Sequence, residues 1–255
     1  MSIAEKLQTV ADNEQRVFDS GRDSVTWQDR LKELIDFRNA SYLFVNKTTI
    51  KTAPIKYADT SNATDMEGMF KGCSSLIAMP SLNTQKVLKM ANMFAGCTAL
   101  TAVASYDTRN VTVFSNMFGS CSSLTQIPKL DLRSAVSVSG MLGGCKALKT
   151  VDIVNIRVSL QVASGSSYGH LITQDSLLHL IKEVIKGDSA IKLTVGAANL
   201  NKLAGVYVRL VDVTNAMRAQ DDLIDLKYPF EVCQSTDTGA MSIEEYASMK
   251  NLTLL

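Results

Sequence analysis

Two histidines in 255 residues leave little material for acid–base catalysis or a metal centre. His170 falls in a loop and His179 on the solvated face of an expected helix, and neither has a nucleophile placed beside it by the sequence. Charge points nowhere either. The 26 basic and 25 acidic residues leave a net +1, which gives no electrostatic case for nucleic acid or a membrane surface. Aromatic residues make up only 6% and are not interleaved with basic clusters, which argues against stacking on bases. No run approaches the ~20 apolar residues of a spanning helix. The start, MSIAEKLQTVADNEQRV, has neither a basic n-region nor an apolar h-region. No secretory signal is therefore expected, and the chain is expected to be made and folded in the cytoplasm. Five cysteines are too few for a disulfide framework, in keeping with reduced thiols. A glycine-rich phosphate loop, a serine-centred nucleophile elbow and a His-x-x-x-His pair are all missing. The expectation is no enzyme and no cofactor or metal.

What the sequence has is repetition. MFKGCSSL at Met69, MFAGCTAL at Met93, MFGSCSSL at Met117 and MLGGCKAL at Met141 are spaced by 24 residues. Several columns share that register. Cys73, Cys97, Cys121 and Cys145 form one, and Leu76, Leu100, Leu124 and Leu148 another. Met79, Val103, Ile127 and Val151 follow, then Leu82, Tyr106, Leu130 and Val154. Val87, Val111 and Ala135, and Met90, Phe114 and Val138, continue round the coil, with an incomplete earlier turn at Ile55, Ala63 and Met66. No single coil can bury such residues; stacked coils place each on its own copy and build a continuous core. The leucine segment suits a short strand in a parallel sheet. Met-Phe-x-Gly-Cys suits a tight turn opposite, with Gly72, Gly96 and Gly144 permitting the bend. Ser120 in the glycine column suggests that a positive φ is not obligatory there.

The cysteines invite a zinc reading, but ligands must converge on one point, and a 24-residue period makes a line of sulfurs. Small buried apolar residues are the expected role. The methionine column (Met69, Met93, Met117, Met141) reads as core filler. A polar column, Asp59, Asn83, Asp107, Asp131 and Asn155, reads as turn residues bonding nearby backbone N–H groups. Its rival is a calcium ladder, disfavoured by the mixture of Asn and Asp in single file. Beside the strand leucines, the varying positions Ala78, Ala102, Gln126 and Thr150, and two residues on Pro80, Ala104, Pro128 and Asp152, form the candidate binding face. Simple surface drift explains the same variation.

Flanking elements are legible too. Ile3, Leu7, Val10 and Val17 predict a helix over 1–20 that caps the stack or oligomerises. TWQDRLKELIDF predicts a second helix with Thr26 as N-cap, and SYLFV (41–45) a strand. TQDSLLHLIKEVIKG predicts a helix capped by Thr173, with Leu177, Leu180, Ile181, Val184 and Ile185 inward and Gly187 as its stop. IKLTVGAANLNKL reads as a strand and turn and GVYVRLVDV as a strand. SIEEYASMK reads as a helix with a Ser242/Glu245 capping box, and NLTLL as a final strand.

The stretch TDMEGMFKGCSSLIAMPSLNTQKVLKMANMFAGCTALTAV, with YDTRNVTVFSNMFGSCSSL after it, resembles the BspA-like leucine-rich repeats over roughly residues 52 to 162. The start of the chain and the LTVGAANLNKL region are similar to repeat proteins of gut bacteriophages. The resemblance implies an α/β protein with a short right-handed leucine-rich-repeat solenoid of about four to five 24-residue coils carrying a parallel sheet. The expected organisation is an N-terminal helical cap or anchor (1–38), the solenoid (39–162), a helix-plus-strand cap (163–204) and a small α/β C-terminal unit (205–255). The implied role is a non-enzymatic virion protein of the tail or fibre, structural or receptor-recognising. Its partners would be other tail proteins and a host surface protein or glycan. A homotrimer is implied as the usual symmetry of tail fibres. Assembly would take place in the host cytoplasm. The alternative is a bacterial surface adhesin or an intracellular interaction scaffold.

Overall fold

The structure is a computed structural model. It describes residues 38–53, 59–79, 81–162, 172–184, 191–195, 197–210, 230–249 and 252–254. The helices expected over 1–20 and from Thr26, together with Ile55, Pro80, the 163–169 loop, His170, Ile185 and Gly187, lie outside these residues.

Among the described residues from 38 to 156 a turn recurs, and each turn is tied to the next copy of itself. The N–H groups of Met66, Gly68, Phe70 and Gly72 donate to the carbonyls of Lys89, Ala91, Met93 and Ala95 at 2.7–3.0 Å. Met90, Asn92, Phe94 and Gly96 do the same to Val113, Ser115, Met117 and Gly119. Phe114, Asn116, Phe118 and Ser120 follow, onto Ser137, Ser139, Met141 and Gly143. The intervening N–H groups turn back on their own coil: Met69 to Met66, Lys71 to Gly68, Cys73 to Phe70. Most backbone donors of the turn are thereby satisfied without a helix or a regular strand, and Glu67 N turns to the Asp65 side chain.

That alternation needs two left-handed residues per turn. Gly68, Asn92, Asn116 and Gly140 have φ between 54° and 65°; Gly72, Gly96, Ser120 and Gly144 lie between 62° and 78°. Ser120 therefore keeps the positive φ of its column, contrary to the expectation that serine relaxes it. Asparagine at the first position follows from its tolerance of that region.

The segment at 41–45 is not a strand. Ala40, Tyr42, Phe44 and Asn46 donate to Asp65, Glu67, Met69 and Lys71, so this is an earlier copy of the same turn. Its phase is 26 residues ahead, with Phe44 stacked on Phe70 and Thr52 bridged to Ala78. From Thr60, which bonds Asn83, the offset is near 24 again. The two extra residues thus fall between Thr52 and Asp59, and they disguised the copy.

Opposite the turns, parallel bridges join Thr52 to Ala78 and Ala78 to Ala102. Strands β1 (Gln126–Asp131) and β2 (Thr150–Val154) continue them as a parallel pair. Between turns and strands lie the cysteine, leucine, methionine and phenylalanine columns, all buried. Phe44, Phe70, Phe94 and Phe118 stack with centroids 5.0, 6.0 and 5.6 Å apart. The last coil breaks the sequence register. Leu130 pairs with Ile153, which is fully buried, and Val154 is only half-buried. One residue fewer on β2 shifts the inward position from Val154 to Ile153.

Beyond the stack, helix α1 (Gln174–Glu183) packs on β2. Thr173 caps it, its Oγ1 accepting from Ser176 N at 3.3 Å. The helix ends before the expected Gly187, because Val184 turns extended to bridge Ile156. Strand β3 (Leu160–Gln161) pairs with β4 (Ile191–Thr194), after which α2 (Ala197–Leu203) follows where a turn was expected. Strands β5 (Tyr207–Leu210), β6 (Phe230–Cys233) and β7 (Met241–Ser242) form an antiparallel sheet in the order β6-β5-β7. Helix α3 (Ile243–Met249) starts with the reciprocal Ser242–Glu245 bonds of a capping box. The final strand β8 (Leu252–Leu254) pairs with β4, so the last residues of the chain share a sheet with β3 and β4.

Two substitutions separate packing from backbone strain. Leu124→Ala removes a fully buried mid-stack side chain and is expected to cost about 2–5 kcal/mol in denaturant melts. A Cβ on Gly96 would sit 3.6 Å from its nearest neighbour, an ordinary contact. Gly96→Ala is therefore expected to cost only the left-handed penalty, about 1–2 kcal/mol. A neutral Gly96→Ala would mean that the turn does not hold that conformation.

Candidate functional site

The cysteine column does more than fill space. Each thiol donates to the phenylalanine carbonyl of the preceding coil: Cys73 Sγ to Phe44 O at 3.0 Å, Cys97 to Phe70 at 3.1 Å, Cys121 to Phe94 at 3.1 Å and Cys145 to Phe118 at 3.2 Å. For the inner copies the same carbonyl also takes the cysteine N–H of its own coil, as Phe70 O does from Cys73 N. Burial pushes Cys73 up to about 11 and Cys97 and Cys145 up to about 12, and it raises Cys121 as well. A protonated donor is what this geometry needs, and thiolate chemistry is suppressed. Among the described residues no group of three or more His, Cys, Asp or Glu side chains could hold a metal ion.

In the polar column, side-chain oxygens accept from the N–H two residues on. Asp59 does so from Ser61 at 2.9 Å, Asn83 from Gln85 at 3.2 Å, Asp107 from Arg109 at 3.3 Å and Asp131 from Arg133 at 3.0 Å. These are Asx turns. Asn155 differs, donating through Nδ2 to Asp131 Oδ1 at 2.7 Å. Arg109 bonds Asp107 through two nitrogens and holds its carboxyl below the usual range. Burial pushes the Asp131 carboxyl up, but bonds from Arg133 and Asn155 outweigh it and the net shift is down. Next to this column runs one not anticipated from the sequence. Thr60, Thr84 and Thr108 are buried and donate through Oγ1 to the carbonyls of Asn83, Asp107 and Asp131 at 2.9–3.1 Å. The in-phase threonine was visible in the chain; its inward direction was not.

The expected binding-face residues sit on the strand rungs. Ala78, Gln126 and Thr150 are exposed, while Ala102 and Asp152 are half-buried. Gln126, Thr150 and Asp152 line one open groove of about 760 Å³, which Ala104 and Pro128 also line. Ala78 and Ala102 are not part of its lining. The groove brings in Ser105, Lys129, Asp175, Ser176 and His179, none of them singled out beforehand as binding residues. His179 was expected in solvent. Instead its side chain is only 34% exposed and leans on β2, with Nε2 3.2 Å from Asp152 Oδ1. The pair lies at ion-pair distance without hydrogen-bond geometry, and among the described residues Nε2 has no hydrogen-bond partner. Helix α1 reaches this position because Val151 N donates to Ser176 Oγ and Thr173 N to Lys149 O.

Residues 38–155 match a family model described as Mycoplasma protein of unknown function, DUF285. The matched segment is just under half of the chain and coincides with the stacked turns; α1 and the later sheets fall outside it. Comparison with curated proteins gave no match, and neither did comparison with solved structures. No helix among the described residues is long and apolar enough to cross a membrane.

The raised thiols give a signed pH dependence. Below the ordinary thiol value of about 8.5 both folded and unfolded chains hold their protons, and the full stability is present. As pH rises toward about 11 to 12 the unfolded chain ionises first, so stability is lost across that window. Melting temperature is expected to fall above about pH 9, and in the folded protein at pH 8 only the half-exposed Cys233 is expected to react quickly with a thiol reagent. Rapid labelling of all five cysteines would contradict the buried column.

Proposed function

We propose that the chain is a non-enzymatic recognition protein built on a right-handed leucine-rich-repeat solenoid, with residues 39–162 as the recognition body. Residues 1–38 serve as anchor or cap, and 163–204 and 205–255 as the C-terminal cap and closing unit. The groove over β1 and β2 carries the reading. Its lining side chains differ from coil to coil, Ala104, Pro128 and Asp152 in one column, while the core columns beneath them hold. A repeated scaffold with a face that varies from coil to coil suits surface recognition. The setting we favour is a virion protein of a phage tail, on the resemblance of the repeat and of the chain's start to such proteins, with tail proteins and a host surface molecule as partners. A homotrimer follows from that setting. A bacterial surface adhesin or intracellular interaction scaffold is the second reading, favoured by the Mycoplasma description of the matching family. Capsid, tail and lysis genes beside the coding sequence would select the first.

Labelled full-length protein incubated with a panel of intact bacteria is expected to bind at least one strain. The Gln126→Arg, Asp152→Arg double variant is expected to bind at least about tenfold less, as a hot-spot loss of about 1.4 kcal/mol or more implies. Binding that ignores both substitutions would move recognition away from the groove.

A further inference from the structure

The groove's construction restricts what can occupy it. β1 spans Gln126–Asp131 against a five-residue β2, and the pairing jumps from Ile127–Val151 to Leu130–Ile153. The extra residue falls at Pro128–Lys129, opposite Asp152. A bulge there bends the strand and re-aims its side chains. Lys129 is exposed beside Asp152, and Asp175 comes in from the first turn of α1.

The strand backbones are already engaged. β1 and β2 pair with each other, Thr125 N donates to Thr101 O, Lys149 N to Thr125 O and Val151 N to Ser176 Oγ. Pro128 has no N–H to offer. Along β1 and β2 little main chain is left for an extended peptide to pair with, as strand addition demands. Recognition falls to side chains. Asp152 and Asp175 repel phosphate, sulfate and carboxylate groups, and Lys129 beside them offsets one of the two charges. The remaining exposed polar groups, Ser105, Gln126 and Thr150, each donate and accept hydrogen bonds. Carboxylates that accept, a lysine that donates and amide or hydroxyl groups that do both match a ligand whose hydroxyls also do both.

We infer that the groove takes an uncharged, polyhydroxylated ligand, a neutral glycan segment, with Asp152 and Gln126 as principal contacts. This rests on the recognition reading above and narrows it to one ligand class.

The full chain is tested on an array of neutral, sialylated and sulfated oligosaccharides, and the strongest neutral binder is then titrated by calorimetry. The expected result is binding confined to neutral oligosaccharides. Asp152→Asn and Gln126→Ala should each weaken it about tenfold or more, the scale of one lost hydrogen-bond partner in a desolvated contact. Lys71→Ala, exposed on the turn side of the stack, should leave it unchanged. Melting curves accompany each variant. If Asp152→Asn unfolds early, the exposed Gln126 carries the decision. Binding to no neutral oligosaccharide, a preference for acidic ones, or equal affinity in Gln126→Ala overturns the assignment. A protein that binds bacteria through Gln126 and Asp152 yet ignores every neutral glycan loses this ligand class alone. One whose cell binding also ignores both residues loses the groove altogether.

Discussion

Between one turn and the next, alternate amide hydrogens cross to the carbonyls of the following copy, and the intervening ones close back on their own coil. The rest of the structure follows from that division. Crossing bonds hold equivalent positions of successive copies against each other, and from Asp65 onward the bridged turn positions return 24 residues later. Closing bonds go with a left-handed residue twice per turn, and from Gly68 to Gly144 glycine, asparagine and one serine occupy those positions, with Tyr42 and Asn46 in the first copy. With the phase locked, every inward side chain falls on its own counterpart. A ladder of phenylalanine rings, a line of thiols and a line of threonine hydroxyls then form from residues that no isolated coil could bury.

The thiol and threonine lines show how the interior treats its polar groups. Each cysteine and each buried threonine donates to a backbone carbonyl of a neighbouring coil. They couple coils as well as fill space, and an unpaired donor in that core would be costly. The raised thiol values have the same origin, since an anion there would lose both its solvation and its donor role.

Much of this was readable in the chain, because period and register are properties of sequence. The columns from Cys73 to Cys145 and from Leu76 to Leu148 are the buried columns of the structure, and Thr173 and Ser242 cap the helices they were expected to cap. The misreadings occurred where the register slips. Two added residues after Thr52 hid the first turn, so SYLFV looked like a strand. One residue lost on β2 moved the core position from Val154 to Ile153. The groove was half legible. Gln126, Thr150 and Asp152 follow from the coil period, but Asp175 and His179 arrive on a helix whose docking no period encodes. His179 looked solvent-facing on a helical wheel because its neighbour, Asp152, is 27 residues away in the chain.

The groove sits where the repeat begins to fail, at the bulge and under the first helix after the stack. Regular coils supply a rigid floor, and the irregularity supplies the side chains that differ. Amide hydrogen exchange on the native protein tests the underlying claim most directly. The account predicts that Met90, Asn92, Phe94 and Gly96, which cross to the next coil, exchange only on global unfolding, while Gln85, whose N–H meets only the exposed Asn83 side chain, exchanges early. Fast exchange at those four amides would contradict it, because the stack, its columns and its groove all depend on those bonds.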